Sequence, residues 1–365
     1  MSPTAAPKSA EPGIAKKEYG YPNARLRGMR SRLLRRDRLE QFAEYTDLHQ
    51  LIQELLQTEY APDLEEALLQ GRGAAEVGEA LRLNLVRTYR KVFGFLNGEA
   101  ADICSIVLGR WDVFNMKTIL RGKQAHLPND EIAAGLLPVG ALSQSDLDGL
   151  LRQPDIRAVV NTATTWGLPE ATALRAGFVE FQRSGDMADF ELELDRHFAE
   201  RAKRELGKRN RNYQMAQRIL GMQVDIQNLL MVFRVARANL GAEQAVRYFL
   251  PGGADLTLET YQRLSACSDI DEILDGLRGT RFGTVLEEVA TNYLETLSIA
   301  TFERALEDYL MRKVIAMGGT DPLGVGIPLA YLWSKLNEVT NVRIIAKGIA
   351  MGVPVERMRR ELILV

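Results

Sequence analysis

The sequence has few of the residues from which disulfide-rich proteins, metalloproteins and many enzymes build their sites. Among its 365 residues are two cysteines, Cys104 and Cys267, and three histidines. Two cysteines cannot form a disulfide framework, and three scattered histidines offer little material for a histidine-rich metal site. The hydrophobic fraction of 46% is nevertheless enough to bury a sizeable core. We therefore expect a reduced, soluble globular protein that carries neither a metal nor another cofactor.

Long apolar runs and targeting signals are also missing. No window approaches the ~18 consecutive apolar residues that a transmembrane helix needs. The opening segment contains three prolines and no apolar centre, so it does not predict a signal peptide. Its polar, proline-rich composition predicts a disordered tail over residues 1–19. The formal net charge of -2 gives no global field that would recruit nucleic acid.

Proline is scarce, and its placement favours helices. The 13 prolines leave long proline-free runs, including residues 63–127 and 170–250. Inside such a run Leu85, Tyr89 and Val92 recur at the spacing of one helix face. No series of alternating strands with Asn-Gly or Asp-Gly turns is found. The sequence thus predicts an all-α chain.

A pattern of acid, asparagine and cation occurs three times, at intervals of 113 residues. The same interval relates Leu137-Pro138-x-Gly140 to Leu250-Pro251-x-Gly253. Fixed-period similarity predicts repeated structural units, here helical repeats over residues 20–138, 139–251 and 252–365. The residues that mark the repeat are Asp112, Asn115 and Arg121, then Asp225, Asn228 and Arg234, then Glu338, Asn341 and Lys347.

A second marker precedes each of these patterns. Asp47, Asp155 and Asp269 each open the pattern D-[LI]-x-x-[LVI]-[IVL]. The distance from this aspartate to the acid of the following pattern is 65, 70 and 69 residues in turn. The two markers keep their order and spacing, which supports the threefold division.

The repeated polar residues have two interpretations. They would be three equivalent catalytic or ion sites, or they would be structural ties that satisfy backbone groups at neighbouring helix ends. We favour the structural interpretation, because Asp, Asn and Arg without His, Cys or a second carboxylate make a poor nucleophile or metal set. The chain also has no phosphate-binding G-x-x-x-x-G-K-[ST] motif. We expect no catalytic, cofactor-binding or metal-binding residues.

Positive charge is concentrated near the amino terminus. Residues 1–38 hold ten Lys or Arg against three Asp or Glu, a net charge of +7. No aromatic residue lies between Tyr21 and Phe42, so a nucleic-acid surface with stacking groups is not supported. The alternatives are a solvated face or one that docks on an acidic protein surface. The candidate docking residues are Arg25, Arg27, Arg30 and Arg35.

Four segments of the sequence have a characteristic form: YPNARLRGMRSRLL (21–34), GRWDVFNMKTILRGK (109–123), DIQNLLMVFR (225–234) and DPLGVGIPLAYLWSKLNEVTNVRIIAKGI (321–349). Together they resemble the C subunit of V/A-type ATPases, which is related to the d subunit of the eukaryotic V-type ATPase. They follow the family's order and span nearly the whole chain. The departures are a longer amino-terminal tail and Asn337-Glu338 in the last segment.

The resemblance implies a non-catalytic rotor part, a component of the central stalk. Members of this family are all-α and funnel-shaped, with three similar helical-bundle domains in approximate threefold pseudosymmetry. The resemblance implies one copy per complex, bound to the D and F shaft subunits and to the membrane proteolipid ring. It further implies a peripheral position on the cytoplasmic side of a membrane, in a complex that couples ATP synthesis or hydrolysis to proton or sodium transport. The alternative is a helical-repeat scaffold or adaptor protein unrelated to the rotary ATPase.

Overall fold

A computed structural model describes residues 12–207 and 210–365. Over these ranges the chain forms twenty α-helices and one short 3-10 helix, with no strand, which confirms the all-α prediction. The helices of the first third are α1 (Pro12–Arg30), α2 (Arg36–Ala43), α3 (Leu48–Leu55), α4 (Ala61–Ala67), α5 (Ala74–Phe93), α6 (Gly98–Leu108) and α7 (Arg110–Gln124). Those of the middle are α8 (Asn129–Ala134), α9 (Gln144–Leu151), α10 (Ile156–Thr165), α11 (Ala171–Ser184), α12 (Met187–Glu205), α13 (Arg211–Arg237), α14 (Ala242–Ala245) and the 3-10 turn Val246–Tyr248. The last are α15 (Leu258–Ser265), α16 (Ile270–Leu277), α17 (Arg281–Thr296), α18 (Ile299–Met317), α19 (Gly326–Ala350) and α20 (Val355–Glu361).

The contacts between backbone segments divide the chain into two compact units. The first unit contains the described residues up to Cys104 together with Leu137–Val139 and Met311–Val365. The second contains Ser105–Leu136 and Gly140–Leu310. The threefold division of the sequence, with its pseudosymmetry and funnel shape, stays a prediction.

Helix α19 is the centre of the first unit. Its residues are buried around most of its circumference, as expected for a helix that is apolar on nearly all sides. It packs against α1, α2, α3, α5 and α20. The Tyr89 hydroxyl of α5 donates a hydrogen bond of 2.7 Å to the carbonyl of Leu332, which ties these two long helices together.

The second unit contains an apolar core around α7 and, apart from this cluster, the long helix α13. Leu120, Leu150 and Phe190, from α7, α9 and α12, are fully buried in one cluster. Helix α13 packs against α12, α15 and α16. In the described part of the chain it is the one helix long and apolar enough to cross a membrane by length and composition. Since 78% of that apolar window is buried inside the protein, the helix has the character of a core helix.

Helix α1 begins earlier than the expected end of the disordered tail. Helix α1 starts at Pro12, inside the segment 1–19 that the sequence predicts as a tail; residues 1–11 lie outside the described residues. Proline is well tolerated in the first helical turn, where its missing N–H has no helical partner. Tyr19 anchors the segment, because its side chain is buried and its hydroxyl donates a 2.8 Å hydrogen bond to Glu99.

Candidate functional site

The first repeat marker, Asp112, lies in the first turn of α7 and is buried. Its carboxylate accepts hydrogen bonds from the backbone N–H groups of Ala141 at 2.9 Å and Leu142 at 3.0 Å. These two residues directly precede α9, whose N-cap is Ser143. The carboxylate thus binds the chain just before a helix start and satisfies donors that would otherwise be buried without a partner.

Gly140 explains why the Leu-Pro-x-Gly motif accompanies the acid. A Cβ atom at Gly140 would lie 2.2 Å from Oδ1 of Asp112, far inside van der Waals contact. Only a residue without a side chain lets the carboxylate approach the following amides this closely. The glycine and the acid are therefore parts of one structural element.

The second repeat has the same arrangement with one more hydrogen bond. Asp225 of α13 is fully buried and accepts from the backbone N–H groups of Ala254, Asp255 and Leu256 at 2.9 to 3.0 Å. A Cβ at Gly253 would lie 2.0 Å from Oδ1 of Asp225. The 113-residue interval therefore relates two equivalent contacts between an acid and a backbone segment.

The asparagine markers also bind backbone. Asn228 holds Leu250 with two hydrogen bonds of 2.9 Å, one accepted from its N–H and one donated to its carbonyl. Asn341 holds Ile363 in the same way, at 3.1 Å and 2.8 Å. Asn115 is likewise fully buried. An amide side chain can donate one hydrogen bond and accept another at the same time. It can therefore bind both the carbonyl and the N–H of a single backbone residue.

The acid of the third repeat has different partners. Glu338 of α19 accepts a hydrogen bond from the backbone N–H of Leu34, just after α1, and one of 2.6 Å from the Tyr60 hydroxyl. It also pairs with Lys335, one turn earlier, at 2.7 Å. The lysine ammonium lies 4.1 Å from the centroid of the Tyr60 ring. This buried cluster connects the amino-terminal and carboxy-terminal parts of the first unit.

Burial dominates the ionisation of these groups. It raises the pKa of Asp112 to about 6, although the hydrogen bonds from Leu142 and Ala141 act in the opposite direction. Burial also raises the pKa of Asp225, again against hydrogen bonds from the backbone. The pKa of Tyr60 is raised well above its ordinary value by burial, and further by the charge of Glu338. These side chains are buried, and their polar atoms are already hydrogen-bonded within the protein. A site that must bind and release a ligand has polar atoms that are free to do so.

The cationic markers lie on the surface. Arg121 forms a two-pronged ion pair with Glu191, whose hydrogen bonds raise the pKa of the guanidinium. Arg234 lies 3.8 Å from Glu303, and both side chains are about half exposed. Lys347 is exposed in the last turn of α19, where a cation complements the helix dipole.

The four arginines proposed for docking are exposed on α1 and at the start of α2. Arg25 is occupied locally, since its guanidinium lies 4.6 Å from the Phe95 ring centroid and donates to the Tyr21 hydroxyl at 2.9 Å. Within the described ranges no carboxylate forms an ion pair with Arg27, Arg30 or Arg35. Three of the four therefore keep their charge available to a partner.

The second sequence marker starts helices, a role that we did not predict for it. Asp47, Asp155 and Asp269 are the N-caps of α3, α10 and α16, and their side chains accept hydrogen bonds from backbone N–H groups in the first turn. An aspartate placed directly before an apolar helical pattern is the usual sequence signal for this role.

Groups that carry out chemistry are sparse in the described part of the chain. Residues 12–207 and 210–365 contain no cluster of three or more His, Cys, Asp or Glu placed to hold a metal ion. Cys104 is buried and Cys267 is partly buried, and both are free thiols. Burial raises the pKa of Cys104 to about 12, so its reactive thiolate form is disfavoured.

The fold and the buried contacts define an all-α protein in which recurring acid and amide side chains bind backbone segments. The sequence profile of the family described as "ATP synthase (C/AC39) subunit" matches residues 22–361. The chain belongs to this family, as the resemblance of its four segments indicated.

Named relatives cover most of the chain. The C subunit of the A-type ATP synthase of Methanothermobacter thermautotrophicus is 30% identical over 337 residues, which are 90% of this chain and 83% of the relative. The C subunit of the V-type ATP synthase of Deinococcus radiodurans is 29% identical over 94% of this chain and 91% of its own length. The C subunit of the A-type ATP synthase of Methanocaldococcus jannaschii is 26% identical over 94% and 86%, respectively.

Proposed function

We propose that this protein is a non-catalytic central-stalk subunit of a V/A-type rotary ATPase or ATP synthase. In this role it couples the shaft formed by the D and F subunits to the membrane proteolipid ring, with one copy in each complex. The observation that carries the proposal is the family match over residues 22–361. Relatives named as the C subunits of A-type and V-type ATP synthases, aligned over 90% or more of the chain, support it.

The repeat markers are structural in this proposal. A part that transmits torque needs stiffness, and side chains that hydrogen-bond buried backbone groups supply it. Asp112, Asp225 and Asn228 make such bonds in the second unit. Glu338 and Asn341 make them in the first unit.

The protein is peripheral in this proposal, on the cytoplasmic side of the membrane that holds the ring. Helix α13 has the length to span a bilayer, but it includes the buried polar residues Asp225 and Asn228. Most of its apolar window already packs inside the protein. Contact with the membrane sector would therefore be made through the proteolipid ring.

Affinity purification tests the partners. The chain is tagged at its chromosomal locus, extracted in mild detergent and analysed by mass spectrometry, with an untagged strain as control. We expect the D and F shaft subunits and the proteolipid ring to be enriched together. Enrichment of unrelated proteins without any of these subunits would contradict the proposal and favour a helical scaffold.

A hydrolysis assay tests the absence of catalysis. The purified chain, freed of other subunits, is incubated with ATP and magnesium ions, and phosphate release is followed. We expect no turnover above the buffer blank. Turnover near ~10 per second, which is ordinary for enzymes, would contradict a purely coupling role.

A further inference from the structure

Two ion pairs connect α7 to α12 in the second unit. The ammonium of Lys117 lies 2.5 Å from the carboxylate of Asp195, and Arg121 forms its two-pronged pair with Glu191. The two cations are one helical turn apart on α7, and the two acids are one turn apart on α12. Each cation on this face of α7 therefore has an acid of its own.

The two cations recur on α19 of the first unit. Two steps of the 113-residue interval lead from Lys117 to Arg343 and from Arg121 to Lys347. One step back leads from α12 to α5, which packs against α19. The contact between α19 and α5 thus corresponds, by sequence, to the contact between α7 and α12.

The two acids do not recur on α5. Arg82 stands at the position that corresponds to Asp195, and Gly78 stands at the position that corresponds to Glu191. The guanidinium of Arg82 is compensated locally, because it donates hydrogen bonds of 2.7 and 2.6 Å to Glu79. A Cβ at Gly78 would meet nothing within 4 Å, so there is open space at this position. The two positions that carry acids in α12 therefore carry none in α5.

The cations of α19 remain without a carboxylate. Within the described ranges neither Arg343 nor Lys347 forms an ion pair. The Nε atom of Arg343 is buried and has no hydrogen-bond partner, and the pKa of this guanidinium is lowered by burial and by the charge of Arg82. Lys347 follows one turn later and is exposed. A partly buried cation beside a second cation is unfavourable in the isolated chain, and a carboxylate from outside would compensate it.

We propose that Arg343 and Lys347 bind an acidic helical segment of a partner protein whose carboxylates lie one turn apart. Charge complementarity favours this occupant, because Arg82 and Glu79 compensate each other and the two cations of α19 stay uncompensated. Cations one turn apart on one helix match acids one turn apart on another, as they do between α7 and α12. A guanidinium can also bind a carboxylate through two parallel hydrogen bonds. The inference rests on the proposed function, since the partner belongs to the same complex.

A protein segment fits this face better than a lipid membrane does. Recruitment to anionic lipids requires a cluster of about four to eight basic residues, whereas the uncompensated cations here are Arg343, which is partly buried, and Lys347. Met351, the C-cap of α19, is 78% exposed one turn beyond Lys347. Methionine and arginine are both enriched at protein interfaces, so their proximity favours a protein partner.

The test uses full-length chains and the detergent-solubilised complex purified from cells that lack this protein. Binding of each purified variant to that complex is measured by titration. We expect Arg343→Gln and Lys347→Glu each to weaken binding about tenfold or more, because each removes a cation that faces a partner carboxylate. Matched controls are Arg152→Gln, at an exposed arginine of the second unit, and Lys91→Glu, at an exposed lysine of α5. Both controls should bind within about twofold of the wild type, since exposed residues outside an interface contribute little.

Gly78→Glu separates docking from folding. A side chain has room at this position and favours the helix over glycine, so Gly78→Glu and Gly78→Gln should both unfold at a higher temperature than the wild type. Gly78→Glu restores the acid of the corresponding position in α12, and it should weaken binding about tenfold because its carboxylate competes with the partner for Lys347. Gly78→Gln has the same size without the charge and should bind within about threefold of the wild type. Equal binding of these two variants would overturn the inference.

Cross-linking of the intact complex identifies the partner segment. A carbodiimide joins a lysine ammonium to a carboxylate in contact with it, and mass spectrometry locates the link. We expect Lys347 to be linked to an Asp or Glu of another subunit that has a second acid three or four residues away. A complex in which other subunits are cross-linked but Lys347 is not would contradict the inference.

Three further outcomes are decisive. Unchanged binding of Arg343→Gln and Lys347→Glu would overturn the inference while leaving the proposed function intact. Failure of the wild-type chain to bind the stripped complex would overturn the proposed function, and this inference with it. Binding of the wild type, but not of Lys347→Glu, to vesicles of phosphatidylglycerol would overturn the inference in favour of a membrane surface.

Discussion

Single residues in this protein hold backbone segments at distances that only glycine permits. Asp225 accepts three backbone hydrogen bonds beside Gly253, and Asp112 accepts two beside Gly140. The sequence predicted that acid and glycine recur together, because both fall at the same 113-residue interval. It could not predict which atoms meet, since the acid and the amides are about 30 residues apart.

Gly253→Ala should be strongly destabilising. The added Cβ would lie 2.0 Å from the Asp225 carboxylate, so either the carboxylate or the backbone must move and the three hydrogen bonds are strained or lost. We expect the free energy of unfolding to fall by about 2–4 kcal/mol, measured by urea denaturation. Gly28→Ala is the matched control, because a Cβ there meets nothing within 4 Å in α1. It should stabilise by about 0.5–1 kcal/mol, and a loss as large as that of Gly253→Ala would contradict the proposed role of the glycine.

Asp112 should make stability depend on pH. Its pKa in the folded protein, about 6, lies above the ordinary value of 3.8 because burial disfavours the ionised form. The folded state therefore binds the proton more tightly than the unfolded state does. The contribution of Asp112 to stability is greatest below pH 4, declines between pH 4 and 6, and is constant above that range. The decline amounts to about 3 kcal/mol.

Comparison with Asp112→Asn isolates this effect, because the amide does not titrate. The free energy of unfolding of wild type minus that of the variant should decrease by about 2.5 kcal/mol from pH 4 to pH 7 in urea denaturation. A difference that stays constant or grows with pH would show that the pKa of Asp112 is not raised.

At the scale of helices, the recurring aspartates of the second marker determine where three short helices begin. Asp47, Asp155 and Asp269 cap α3, α10 and α16, each of which carries buried apolar residues on one face. These starts were available from the sequence, because a cap is a local feature of a few residues. The packing partners of the same helices could not be predicted from the sequence, because burial depends on residues far along the chain.

Removing one of these caps should lower the free energy of unfolding only modestly. Asp155→Ala leaves the N–H of Ala158 without the side-chain partner that now lies 2.8 Å away. We expect a loss of about 1 kcal/mol in the free energy of unfolding, with Asp155→Asn close to wild type because asparagine also caps well. Equal losses in the two variants, measured by thermal or urea denaturation, would argue against the capping role.

Breaking the buried ion pair between Lys335 and Glu338 in α19 should lower the free energy of unfolding by a larger amount. Lys335→Met should cost about 3–5 kcal/mol, because it leaves the carboxylate of Glu338 buried without its cation. The double variant Lys335→Met/Glu338→Gln should be more stable than Lys335→Met alone, since the uncompensated charge is then removed. Lys347→Met is the control on the same helix; its side chain is exposed, and the expected change is within about 0.5 kcal/mol. The ordering of the three variants in urea denaturation checks the prediction, and a double variant less stable than the single one would contradict it.

At the scale of the whole molecule, the helical content was predictable from the sequence. Proline placement and apolar spacing are local, and they indicated helices, while the repeated motif marked equivalent segments that lie in α7, α13 and α19. The composition of the two units was not predictable. Glu338 meets Tyr60 across 278 residues, and Asn341 meets Ile363 across 22, yet both contacts lie within one unit. Sequence periodicity identifies equivalent segments, but it does not show which distant segments pack together.

The candidate site was predictable only in part. The acid and asparagine markers were found because they recur, whereas the partners of Glu338 in the third repeat, Leu34 and Tyr60, follow no repeated pattern. These contacts come from the packing of α19 against helices that are distant in the sequence, which only the fold reveals. Contacts of this kind carry no periodic signal, so they emerge only once the neighbouring helices are in place.

The measurement that most directly tests the proposed coupling role compares ATP hydrolysis with ion transport in membrane vesicles that lack this protein. We predict that the catalytic head still hydrolyses ATP while ATP-driven ion transport is lost, and that the purified chain restores transport when it is added back. Ion transport that continues at the wild-type rate without the chain would contradict the coupling role.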